Sequence, residues 1–246
     1  MSGYHWNWGI FLETVKGGEE TYLHWLATGL GWTVAVSLAS WVVALLLGSL
    51  VGTLRTVPSR VVSGLATAWV ELFRNVPLLV QLFLWFFVAP ELLPREWSLW
   101  VKRDMPAKEF VTATVCLGLF TSARVAETVR SGIGSLPRGQ RLAALALGMT
   151  LPQAYRHVIL PMAFRIVVPP LTSEFMNVIK NSSVAFAIGV LELTFQARQM
   201  QEDSEQGIET YLAVTVLYVL CTFAANRLMA WVERKSRIPG YVTAAK

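Results

Sequence analysis

An all-α protein embedded in a membrane is the fold class this sequence predicts, and composition, apolar run length and loop charge carry the prediction. Of 246 residues, 54% are apolar and only 15% charged, with a mean hydropathy of +0.49; soluble domains carry roughly 25% charge. Apolar runs long enough to cross about 30 Å of hydrocarbon fall at 23–54, 61–88, 110–133, 158–191 and 211–232. These predict five transmembrane helices. The formal net charge of +5 does not point to nucleic acid, because the basic residues sit between apolar runs rather than on one solvated face.

The opening segment, 1–22, lacks a basic region and a small-residue cleavage site, so we expect no signal peptide to be removed. The second, third and fourth runs contain polar residues that a lipid-facing helix would not accept, so those residues must face protein or a watery cavity. Pro77 is expected to kink the second run and free backbone groups that need other partners. Cys116 and Cys221 lie inside apolar runs without C-x-x-C spacing and read as small buried hydrophobes, neither disulfide nor metal ligands. We expect no metal and no cofactor.

Loop charge sets the orientation. The turn with Arg55 and Arg60, the 138–161 segment, and the tail 233–246 with Arg234, Lys235, Arg237 and Lys246 are basic. The loop from Pro90 to Glu109 is balanced, and Gln196 to Glu209 is acidic. The two kinds alternate, as five crossings require. An N-terminal segment outside the cytoplasm (1–22), a membrane domain (23–232) and a cytoplasmic tail follow.

The basic segment "RGQRLAALALGMTLPQAYRHVILP", 138–161, is too short to span a bilayer. Alanine and leucine predict a helix over 140–147, with Gly148 taking positive φ at its C-terminus and Pro152 opening the next helical turn. Ala143, Ala144 and Leu147 share one side. A docking element results, with Arg138, Arg141 and Arg156 on its rim. The plainer reading is a structural connector. Because no phosphate-binding loop G-x-x-x-x-G-K-[ST] occurs, the chain is not itself an ATPase by that route.

Charges inside the runs are costly unless paired or facing a cavity. Glu71 and Arg74, and Arg124 and Glu127, are each three apart and can pair along one helix face. Glu174 and Lys180 are six apart and need outside partners. Glu71, Arg74 and Glu127 read as structural ion pairs between helices.

At this point the sequence resembles a known family. Leu142, Ala143, Ala144, then Gly148, then Val158, Leu160 and Pro161 follow the spacing of the EAA loop of ABC-importer permeases, with Leu142 where that family has Glu and Val158 where it has Ile. "ELFRNVPLLVQ", "ARVAETVRSGIGSLPRGQ" and "LTSEFMNVIKNSSVAFAIGV" are similar to the polar amino acid subfamily, most of all to permeases of glutamate/aspartate importers. The resemblance implies a multi-pass subunit of the bacterial inner membrane. Its implied partners are two ABC ATPase subunits, a second permease subunit (a distinct chain in preference to a second copy, with the homodimer as the alternative), a periplasmic binding protein and lipid. The helix before Gly148 then becomes the coupling helix, with Arg141, Ala143, Ala144, Leu147 and Gly148 as contact residues. In that family an Arg before the x-x-Pro of span two and a Lys in "KNSS" occur whatever the cargo, which implies that Arg74 and Lys180 shape the pore.

Arg124 stands where that family more often has small or aromatic residues, and a guanidinium there suits bidentate binding of a carboxylate. Thr121, Ser122, Glu174, Asn177 and Asn181 are the polar residues that would complete a substrate site. Permeases for glutamine, basic or neutral amino acids are the alternative cargoes. A membrane enzyme is disfavoured, since no H-E-x-x-H or G-x-S-x-G occurs; a non-transporting scaffold would leave charges in three spans unexplained.

Overall fold

The computed structural model describes residues 4–236. The end of the predicted cytoplasmic tail, with Arg237 and Lys246, lies outside the described residues. After a 3-10 turn at Trp8–Leu12, the helices are α1 (Tyr22–Leu54), α2 (Arg60–Asn75), α3 (Leu78–Phe83, prolonged by wider and tighter turns to Leu92), α4 (Arg95–Leu99, prolonged to Asp104) and α5 (Lys108–Gly134). There follow α6 (Arg138–Ala146), α7 (Leu151–Ala154, prolonged to Ile159), α8 (Leu160–Asn181), α9 (Leu193–Ser204) and α10 (Gly207–Ser236).

Tyr22–Leu54, Lys108–Gly134, Leu151–Ile188 and Gly207–Ser236 are each long and apolar enough to cross a membrane; Arg60–Asn75 with Leu78–Leu92 adds a fifth crossing if the two form one broken span. The expected second span is therefore not a single helix. Val76 is extended (φ −102°, ψ 131°), the conformation a following proline imposes, and Pro77 restarts the chain as the N-cap of α3. A further departure is α9, which stands in the segment expected to be an acidic loop. Its Leu193, Ala197 and Met200 are fully buried, a spacing of one helix face.

The chain forms two compact units that share the long helices. The first comprises the segment up to Ser40, Pro77–Leu117 and Val178–Phe223. Its core joins Ile10, Val15, Tyr22, Leu26, Leu193, Ala197, Met200 and Val214. Glu192 is wholly buried there. As N-cap of α9 it accepts the N–H groups of Thr194 and Phe195, both at 2.9 Å, and the Tyr218 hydroxyl at 2.7 Å. Burial nonetheless pushes its carboxyl above the ordinary value.

The second unit comprises Trp41–Val76, Gly118–Asn177 and the chain from Ala224. Here α1 and α5 meet at Gly48 and Gly52. A Cβ on Gly48 would lie 2.5 Å from the Val125 Cβ, and one on Gly52 2.6 Å from the Ala126 carbonyl oxygen. Small residues four apart allow this approach of membrane helices. Helix α8 closes on α5 in the same way, since a Cβ on Gly132 would lie 2.2 Å from Val167. Its buried face, Ala163, Val167, Leu171 and Phe175, repeats every four residues, and Phe175 packs on Trp41 of α1 with ring centroids 5.2 Å apart. These contacts fix the residue beside Phe175, Glu174.

Candidate functional site

Within the second unit, Arg74 of α2, Phe120, Arg124, Glu127 and Thr128 of α5, and Glu174 of α8 line a cavity of about 370 Å³. Its charges pair differently from the sequence expectation. Glu127 binds Arg55 Nη1 at 2.5 Å and also Arg130, with Arg74 at 4.0 Å; it does not pair with Arg124. Arg55 comes from the end of α1, so the neutralising cation was hidden in a loop that the linear i, i+3 rule cannot reach. Glu71 accepts a hydrogen bond from Asn75 at 2.9 Å rather than pairing with Arg74.

Arg124 is held more loosely. Its Nη1 stands 3.9 Å from Glu174 Oε2, beyond hydrogen-bond length, and its side chain is 44% exposed against 18% for Glu174. The guanidinium lies 5.4 Å from the Phe120 ring centroid, within cation–π range. That Glu174 oxygen is buried without a hydrogen bond. The cavity therefore presents a guanidinium flanked by an aromatic face and an incompletely satisfied carboxylate. Such a set can take up a zwitterion.

Of the predicted substrate residues, the structure brings Arg124 and Glu174 together and places the rest otherwise. Ser122 is fully buried, accepting a hydrogen bond from Trp69 Nε1 at 3.3 Å and donating to the Leu119 carbonyl at 2.7 Å. Thr121 is buried and Asn177 half-buried. Neither is in the cavity lining. Asn181 and Lys180 belong to the first unit, where Asn181 lines a void of about 10 Å³ with Cys116 and Ser182. Sequence reasoning did not assign Phe120 and Thr128 to the site; one precedes Arg124 by four residues and the other follows by four, a spacing that puts them on its helix face.

The 138–161 segment has the expected helix, turn, helix form. Helix α6 runs from Arg138 rather than Gln140, and Gly148 has φ +82°. Gln153 accepts a hydrogen bond from the Thr150 N–H at 2.8 Å, half of a capping box. The exposed ridge departs from the expected one at Ala144. Ala144 is 3% exposed, whereas Leu142 and Leu147 are 61% and 80% exposed, so Ala144 packs inward and the leucines point out. Arg141 and Ala143 are exposed. Behind α6, Arg138, Arg141, Thr56, Ile133 and Tyr155 border a second cavity of about 450 Å³. The Tyr155 hydroxyl donates to the Thr56 carbonyl at 2.8 Å.

Comparison with known proteins gives one consistent answer. Residues 44–238 match the binding-protein-dependent transport system inner membrane component family. The chain is 51% identical over 237 residues, 96% of each chain, to the glutamate/aspartate import permease protein GltJ of Escherichia coli (strain K12). It is 30% identical over 213 residues, 87% of this chain and 93% of the other, to the glutamine transport system permease protein GlnP of the same organism. A crystal structure of an amino acid ABC transporter with histidines superposes with TM-score 0.72 at 28% identity, over 87% of this chain and 95% of that one. An inward-facing MetNI methionine ABC transporter shares the fold, with TM-score 0.73 at 21% identity over 88% and 98%. The chain belongs to the binding-protein-dependent transport system inner membrane component family, the membrane-spanning permease subunits of ABC importers.

Proposed function

We propose that this permease passes acidic amino acids, glutamate and aspartate, through the membrane. The observation that carries the proposal is the loosely paired Arg124 facing the α2–α5–α8 cavity. Its 3.9 Å separation from Glu174 leaves a guanidinium edge that a side-chain carboxylate can engage bidentately, while Glu174 suits the substrate ammonium. The relation to GltJ supports the same cargo.

In this reading the N-terminus is periplasmic and the tail cytoplasmic, as the loop charges require. Segment 1–22 stays on the periplasmic side without crossing the membrane, 23–232 forms the transport domain, and 138–161 is the coupling loop. Helix α6 docks on an ATPase through Leu142, Leu145 and Leu147, exposed beside Arg141. Two ATPases, a second and different permease chain and a periplasmic binding protein complete the importer. Closure of the ATPases moves α6 as a rigid body with the helices on either side of it.

Arg124→Lys and Arg124→Ala, measured by ligand binding to the membrane complex without the binding protein, test the cargo. Loss of a charged partner costs about 2 to 5 kcal/mol, and the exposure of Arg124 favours the lower end. Glutamate affinity should fall about 30-fold for Ala, less for Lys, and glutamine affinity less than either. An equal loss for glutamine and glutamate assigns Arg124 to architecture.

A further inference from the structure

Glu209 sits in the first turn of α10, a helix that reads as a span, yet it is fully buried while Ile208, Tyr211 and Leu212 beside it are 43–46% exposed. The N-terminal segment covers it. The Asn7 N–H donates to Glu209 Oε1 at 2.8 Å and the Tyr4 hydroxyl donates to Oε2, a contact that joins residues more than 200 apart in sequence. A second tie fastens the segment at the start of α1. Asp203 accepts the Lys16 N–H at 3.2 Å and the Tyr22 hydroxyl at 2.6 Å, and Thr14 bridges to Thr21.

These polar atoms turn inward, and the large side chains turn out. Trp6, Trp8 and Leu12 are 58%, 55% and 73% exposed. The two indoles stack at 5.9 Å with an interplanar angle of 7°, and Tyr4 meets Trp6 edge-on at 5.3 Å. Such an arrangement is the reverse of what water favours. Tyr4 also shares an open groove with Ile208, Tyr211, Leu212 and Thr215, rimmed by Gln201 and Glu205, and α10 carries the exposed Val216 and Val219 beyond it.

We propose that residues 4–12 form an interfacial anchor, with the Tyr4–Trp6–Trp8 stack lying among the lipid headgroups of the leaflet at which α1 and α10 begin. Tryptophan and tyrosine suit that depth because an apolar ring and a polar N–H or O–H are satisfied together. Between residues 4 and 21 the segment carries Glu13, Glu19 and Glu20 against Lys16. It is therefore held by ring insertion and not by attraction to anionic lipid. The hydrogen bonds to Glu209 and Asp203 set its height, so the anchor registers the first unit against the membrane surface.

The test uses the assembled transporter in nanodiscs, with Cys116 and Cys221 replaced by Ala and an environment-sensitive fluorophore attached through Trp6→Cys or, separately, Leu12→Cys. Quenching by a nitroxide near the lipid headgroup should exceed quenching by aqueous iodide by about twofold or more, and should not change with salt or with anionic lipid content. Glu209→Ala, which removes both acceptors, should shift the balance toward iodide. Quenching led by iodide in every lipid overturns the proposal. Protection that appears only when soluble binding protein is added also overturns it, and assigns the stack to a protein partner. If Glu209→Ala prevents assembly, the depth measured in the unaltered background decides alone.

Discussion

Glu127→Gln is the sharpest perturbation of the charged cavity, because the carboxylate serves three arginines at once while the amide keeps its size. The arginines are not equal. Arg130 and Arg74 are 43% and 48% exposed and can return to water, whereas Arg55 is 11% exposed and its Nε is buried without a hydrogen-bond partner. Breaking a buried pair by removing one partner costs about 3–5 kcal/mol. Glu127 is itself 30% exposed, so water offsets part of this and a loss of about 2–3 kcal/mol is expected. For a chain of this size that corresponds to a fall in Tm of roughly 5–10 °C, readable by thermal unfolding of the reconstituted complex. Adding Arg55→Met removes the stranded cation, so the double variant should recover at least about 0.5 kcal/mol relative to additivity. A loss for Glu127→Gln below about 0.5 kcal/mol, or strict additivity, would refute the assignment of Glu127 as the counter-charge of Arg55.

Four further outcomes are expected. Gly48→Leu should abolish assembly of the membrane domain, because even its Cβ meets Val125 at 2.5 Å, while Gly64→Ala, with no atom within 4 Å, should stabilise by about 0.5–1 kcal/mol through helix propensity; comparable yields of the two in size-exclusion profiles would contradict this. The folded state binds the Glu192 proton more tightly than the unfolded state, so the contribution of Glu192 to stability should be fully present below the ordinary glutamate value of about 4.3 and be lost as pH rises through the raised folded value; Glu192→Gln should remove that component of the slope in pH-dependent unfolding. Gly148→Asp, at φ +82°, strains the backbone and places a charge beside the exposed leucines, so transport should fail while insertion survives; an undiminished, substrate-stimulated ATPase would count against docking through α6. With Cys116 and Cys221 removed, an impermeant thiol reagent on spheroplasts should label Ser204→Cys and not Ser236→Cys; the reverse pattern inverts the topology.

The apolar runs were legible because a membrane makes their length a direct physical requirement, and Gly148 was legible because positive φ after an alanine-rich helix has few other solutions. What was not legible depended on distance in the fold. The i, i+3 spacing of Arg124 and Glu127 suggested a pair, yet Arg55 reaches Glu127 from 72 residues away and leaves Arg124 to Glu174. Helix α9 was obscured by Glu202, Asp203 and Glu205, although Leu193, Ala197 and Met200 carried its periodicity. Ala144 and Leu147 were placed on one docking side by spacing alone, but the helix packs against its own chain through the smaller residue and exposes the larger.

The corrected pairing has a consequence for coupling. Arg55 and Thr56 are neighbours in the turn after α1: Arg55 holds Glu127 in the cavity lining at 2.5 Å, and the Thr56 carbonyl accepts the Tyr155 hydroxyl at 2.8 Å. Tyr155 directly follows α7, five residues before the start of α8. The cavity and the 138–161 segment are thus joined by contacts at hydrogen-bond length inside one compact unit, the contiguity that the proposed coupling requires. Movement of α6 by an ATPase would pull on the α1 end through Tyr155, and the Arg55–Glu127 pair would carry that pull to the α5 face bearing Arg124. Tyr155→Phe removes only the hydroxyl and leaves the ring packing. A loose link of this kind should lower substrate-stimulated ATPase activity more than basal activity, with substrate affinity preserved; equal losses in both activities would mean that Tyr155 serves folding and carries no signal.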